Sequence, residues 1–244
     1  MKSLVTGGFE AFLKNGFKLN GLFTTKNLEK YLRNHVLPTN DFRDLYAELY
    51  IVATRLNDSG KAVFGPFKEN SISDEVMNLN HAKISDAAAA STSLPPVFAP
   101  YGIDTPKGEK MQFFDGEIRD TLSTHVAADN GADLVISSYS IQPYHYHEKM
   151  GSLHEYGIPL ILNQALYQVV EQKIKKHIQY QDDIKAIYNA IDGYCKQAGI
   201  TDENREKLLD IISKRVNFNK NIEYVYIHPN PQDYEMFFVD HFSL

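Results

Sequence analysis

Between Lys110 and Ile136 the apolar pattern changes its period and then changes back, and this limits the available folds more than any other feature of the chain. Lys110 to Phe114 reads as a strand, followed at once by Asp115-Gly116. Ser123 to Asp129 reads as a helix closed by Asn130-Gly131 in a left-handed cap, and Leu134-Val135-Ile136 as a short buried strand. Strand, helix and strand in succession is the grammar of an α/β sheet with helical crossovers. Upstream, Leu49 to Thr54 is β-rich and almost continuously apolar, as a strand covered on both faces requires. Asn57-Asp58-Ser59-Gly60 is a turn signal, and Lys61-Ala62-Val63-Phe64 pairs back to complete a hairpin.

Helical spacing occupies much of the rest. Phe9, Phe12 and Leu13 mark one short piece. Thr25 to Val36 marks another, with Leu28, Tyr31, Leu32 and Val36 on one face and Pro38 as its stop. His81 to Ser91 is an Ala-rich helix ended by Leu94-Pro95-Pro96. The last hundred residues carry three apolar stripes: Leu162 to Ile178, Ile184 to Ile191, and Leu208 to Val216 with Thr201 as cap. Ile222 to Ile227 returns to strand. No repeat, low-complexity tract or linker forces a second domain, so residues 1–244 are expected to form one.

Composition removes several functional classes. With 43% hydrophobic and 23% charged residues the chain is globular, and its 244 residues can bury one sizeable core. A net charge of −6 argues against nucleic acid as partner, since phosphate-backbone binding needs clustered Lys and Arg. A single cysteine, Cys195, excludes an intramolecular disulfide framework and a multi-Cys zinc site. No run reaches the roughly 20 apolar residues of a membrane span, and the opening residues do not read as a secretory signal. A cytoplasmic protein is the default expectation.

Most polar clusters have ordinary readings. His145 and His147, with His154 nearby, would converge only on an extended segment and lack a third placed ligand, so a solvated loop is expected and no metal. Cys195 sits near the apolar side of a helix with nothing to lower its pKa, which suits a buried structural thiol. Gly7-Gly8 is not followed by Lys-Ser/Thr and no G-x-G-x-x-G occurs, so no nucleotide cofactor is expected. Asp115-Gly116 stands apart by position, because reactive groups in open α/β sheets collect beyond strand carboxyl ends.

Taken together these segments resemble the patatin-like phospholipase family. Ala90 to Pro100 (ASTSLPPVFAP) is similar to its A-S-x-x-x-P-x-x-F-x-P stretch, and Phe113 to Glu117 (FFDGE) to its strand and D-G-G/A motif. Ala127 to Ile136 is similar to its A-x-x-x-G-A-D-x-I/V-I segment. Gly21 to Leu32, then Leu49 to Thr54, resemble its lead-in and next strand, so the likeness runs over about residues 20–140 in consistent order. Phe237 to Leu244 resembles a strand near the family's C-terminal region. The resemblance implies an open α/β sheet with helices on both faces and a largely helical C-terminal portion. It further implies a lipid acyl-ester hydrolase without cofactor, working with a Ser-Asp dyad in which Asp115 is the base and Gly116 supports the turn. The substrate would be a lipid or acyl ester, met with peripheral membrane contact.

The departures are specific. No glycine is followed two residues later by serine, so the family's G-x-S-x-G elbow is absent, as is its G-G-G-x-R/K-G oxyanion loop. Glu117 replaces the usual Gly or Ala, and Thr121 and Ser123 stand where Asn and Pro are often found. The chain starts just after the expected place of the elbow and is expected to be inactive alone. It is either a truncated product of a hydrolase or a diverged member that binds lipid or protein without turnover, and the contiguous gap favours truncation. A hydrolase using Ser91 or Ser93 with a histidine base is disfavoured, because a helix C-terminus offers few N–H donors to an oxyanion.

Overall fold

The structure, a computed structural model, describes residues 20–21, 23–216, 218–230 and 233–238; the helical piece around Phe9, Phe12 and Leu13 lies outside them. The chain divides into two compact units, one ending at Arg119 and the other starting at Asp120.

In the first unit, helix α1 (Lys26–Tyr31) runs into a π-helical turn over Leu32–Val36. Strands β1 (Ile51–Arg55), β2 (Lys61–Phe64), β3 (Ser71–Ile72) and β4 (Val76–Leu79) precede helix α2 (Ile84–Ser91), and β5 (Tyr101–Asp104) and β6 (Lys110–Asp115) follow it. They form one open six-stranded sheet in the order β3-β4-β2-β1-β6-β5, antiparallel throughout except for β2 with β4. The predicted hairpin is β1–β2, with Val52 opposite Val63. As its apolar run implied, β1 is central, and Val52 through Arg55 are all buried. Helix α2 packs on β1 through small side chains, with Ala87, Ala89 and Ala90 at 0% exposure. Phe64 and Phe113 meet edge to face beneath it, their ring centres 5.4 Å apart. The expected apolar face of α1 differs: Leu28, Tyr31 and Val36 are exposed, because the helix buries none of its residues.

The β1–β2 turn is clamped by a buried cation. Arg55 is 5% exposed, pairs with Asp58 in the turn and donates Nη2 to the carbonyl of Asp74. Gly60 lies under the guanidinium, where a Cβ would overlap it. Arg55→Ala leaves a void and two acceptors without their cation, so a loss of about 3 kcal/mol is expected from the urea midpoint at unchanged slope. A loss below about 1 kcal/mol would mean that the guanidinium does not anchor the hairpin.

In the second unit, helix α3 (Thr124–Asp129) leads to β7 (Leu134–Ser138), and helices α4 (Ile158–Gln197) and α5 (Asp202–Val216) lead to β8 (Glu223–Ile227). β7 pairs in parallel with β8. It is covered on one face only: Val135 and Ser137 are buried, whereas Leu134 and Ile136 are 49% and 60% exposed, which corrects the expectation of a buried strand. The first two C-terminal stripes belong to the single 40-residue α4, since neither glycine nor proline interrupts Ile178 to Ile184. Its buried side runs through Asn163, Tyr167, Val170 and Ile174, so Leu162 and Val169 of the expected stripe face outward. Cys195 is buried as expected. Phe237 and Phe238 lie in a helical turn rather than a strand, and 239–244 fall outside the described residues. Among the described residues no helix is long and apolar enough to cross a membrane.

Candidate active site

Asp115 ends β6, where the sheet and the segment after α2 hold its main chain. Its N–H donates to the carbonyl of Ser93 at 3.1 Å, and the Thr54 hydroxyl donates to its carbonyl at 2.8 Å. Ala53 of β1 stands opposite in register. The next residue passes so close to β1 that a Cβ on Gly116 would overlap the Val52 carbonyl oxygen and lie 2.9 Å from its carbon. Gly116 has no left-handed φ, so close approach of two backbones, and not a turn angle, requires glycine here.

The carboxylate is shaped by the same turn. Asp115 caps a 3-10 turn over Gly116–Ile118, its Oδ1 accepting the Glu117 N–H at 2.9 Å. Among the described residues Oδ2 accepts nothing, and no cation pairs with the group. Burial disfavours the charge and pushes the pKa up from 3.8 to about 6, against the smaller opposing effect of the Glu117 N–H. A base poised near neutrality with one oxygen uncommitted suits removal of a proton from a hydroxyl. Just beyond, Leu122 and Ser123 have φ of 65° and 46°, left-handed angles that non-glycine residues seldom adopt, though Asn does so more readily.

Two serines of α2 and the segment after it, Ser85 and Ser93, are held in structural hydrogen bonds. Ser93 is fully buried; its hydroxyl donates to the Ala89 carbonyl at 2.7 Å and accepts from Thr25 at 3.0 Å. Ser85 donates to Glu29 at 2.9 Å and accepts from Asn40 at 2.9 Å. Among the described residues no serine hydroxyl bonds the Asp115 carboxylate. The aromatic side chains nearby in sequence have separate partners: Phe113 belongs to the core, Tyr101 donates to Asp86 at 2.8 Å, and Phe98 tilts against Phe23.

The histidines follow separate contacts. His147 stacks on Tyr234 with ring centres 3.7 Å apart, His154 bonds Ser152 at 2.8 Å, and His145 is exposed. Among the described residues no three potential ligands gather as a metal would require. Sequence reasoning missed the contributions of Thr54 and Ser93, which act through main-chain partners that no motif marks. It also missed a cavity of about 900 Å³ in the second unit, where His177 Nε2 lies 3.2 Å from the Thr124 hydroxyl. Burial pushes the pKa of that imidazole down, yet among the described residues its other nitrogen has no partner to fix a tautomer for catalysis.

Comparison with known proteins gives one family. The model of the patatin-like phospholipases matches residues 4–128, a span that contains β1 through β6 and Asp115-Gly116. It begins upstream of the lead-in traced from Gly21 and stops before Gly131-Ala132-Asp133. No curated protein matches the chain.

Proposed function

The chain belongs to the patatin-like phospholipase family, and from that premise we propose that it is the base-bearing part of a lipid acyl-ester hydrolase whose nucleophilic serine lies outside this sequence. The observation that carries the reading is the Asp115 carboxylate: held at a strand end, desolvated, and bonded through one oxygen only. Asp115 takes the proton of the serine hydroxyl as its oxygen attacks the ester carbonyl carbon. The tetrahedral oxyanion needs preorganised N–H donors, which the family's glycine-rich loop would supply. Collapse breaks the ester C–O bond, and the leaving alkoxide receives the proton from Asp115. Water then attacks the acyl-serine with Asp115 again as base, which releases the fatty acid and restores the serine.

A second reading, a lipid-binding member without turnover, has its own support in α4. Ile158, Ile161, Leu162 and Val169 are exposed along its first half, ahead of Lys173 and Lys176. Activity-based labelling separates the two. With a fluorophosphonate serine probe and p-nitrophenyl esters, this chain alone is expected to show no labelling and only background turnover. Fused behind a segment carrying the glycine loop and elbow, it is expected to take one probe per chain and hydrolyse the ester. Labelling of the chain alone would place the nucleophile among its own serines, and a fusion that binds lipid vesicles without turnover would favour the second reading.

A further inference from the structure

We propose that the cleft between α1 and the β5–β6 hairpin is an anion site that takes a phosphate group. The cleft encloses about 340 Å³, the low end of the range for small-molecule sites. Its lining residues include Lys26, Lys30, Lys110 and Gln112, with Glu29 the one acidic residue among them. Lys26 and Lys30 stand four residues apart on one face of α1, a spacing at which like charges destabilise a helix. Among the described residues neither has an ion-pair partner, so a bound anion would relieve a repulsion that the fold leaves standing. Glu29 offsets this only in small part, because its Oε1 already accepts Arg33 Nε at 2.8 Å and the Ser85 hydroxyl at 2.9 Å, and its interaction with Lys30 is weaker than either. Lys110 meets Asp104 at 3.2 Å in an exposed pair, a contact that solvent weakens.

The floor of the cleft is set by strand register. Gly102 stands opposite Gln112 and Asp104 opposite Lys110, so all four positions share one face of the hairpin. The absence of a side chain at Gly102 lets the Lys110 and Gln112 side chains lie across it: a Cβ there would lie 2.7 Å from Lys110 Cδ and 2.9 Å from Gln112 Nε2. Three point charges and an amide around a gap match the oxygens of a phosphate monoester or diester. Lys110 and Asp115 occupy opposite ends of β6, about 17 Å apart along an extended strand, so the anion site is separate from the carboxylate and does not depend on its role.

The test is titration of this chain with inorganic phosphate, followed by amide NMR and calorimetry, beside co-sedimentation with phosphatidic acid and with phosphatidylcholine vesicles. Phosphate is expected to shift the resonances of Lys26, Lys30 and Gly102. The double variant Lys26→Ala/Lys30→Ala is expected to lose at least tenfold in affinity, while Lys68→Ala, an exposed lysine elsewhere, is unchanged. Gly102→Ala keeps every charge, displaces the Lys110 and Gln112 side chains, and is expected to weaken binding as well. Phosphate binding with phosphatidic acid sedimentation that phosphate competes away identifies a lipid headgroup as the source. Phosphate binding without sedimentation identifies a soluble phosphate ester. No shift with phosphate, or affinity equal in wild type and the double lysine variant, overturns the site.

Discussion

Asp115→Asn is expected to stabilise the fold at pH 8 and to leave it unchanged at pH 4, while removing activity from the chain once its nucleophile is supplied. The folded pKa, about 6, lies above the ordinary 3.8, so the folded state holds a proton that the unfolded state has released. Below the unfolded value both states are protonated and the group costs nothing. As pH rises from about 4 to about 6 stability falls, and above 6 the full cost of a buried charge is present. The shift corresponds to at most ~3 kcal/mol, and to about 2 kcal/mol once residual solvent contact is allowed for. Asparagine carries no charge and still accepts the Glu117 N–H. Urea midpoints at the two pH values check this; equal stability of both proteins at pH 8 would mean that the carboxylate is better solvated than its surroundings imply. In the restored hydrolase, loss of the base should lower turnover by roughly 10²- to 10⁴-fold. Full activity in Asp115→Asn would remove this residue from the mechanism.

Gly116→Ala should be among the most damaging single-methyl changes in the chain. The added carbon meets the Val52 carbonyl, which is backbone in a central strand and cannot turn aside as a side chain would. Either β1 and β6 separate locally or the turn below Asp115 rebuilds, at an expected cost of about 3 kcal/mol or more. Gly193→Ala is the contrast: it lies inside α4, nothing stands within 4 Å of its Cβ, and the substitution should stabilise by about 0.5–1 kcal/mol. The pair measured by urea unfolding separates steric need from helix propensity. A cost below about 1 kcal/mol at Gly116 would mean that the sheet yields easily there.

Patterns carried by neighbours in sequence were readable. The continuous apolar run Leu49 to Thr54 announced a strand covered on both sides, and β1 is the central strand. Asn57 to Gly60 announced the hairpin, and the prolines after Ser91 announced the end of α2. The order of short motifs around Asp115-Gly116 was enough to indicate the family. What misled was periodicity where burial is shared with polar side chains. Asn163 and Tyr167 lie on the covered side of α4, so a stripe traced through apolar residues alone is turned by about one position.

By itself, then, the sequence determined the class of fold, the hairpin, the strand leading into Asp115 and the absence of a G-x-S-x-G elbow, because each is a property of adjacent residues and their spacing. Tertiary structure decided why Gly116 must be glycine, why the Ser93 hydroxyl is buried and bonded to Ala89, and why burial raises the Asp115 pKa to about 6. It also decided that Lys26, Lys30 and Lys110 share one cleft. Those outcomes rest on contacts between residues far apart in the chain and on the water that packing removes, and neither is written in local order.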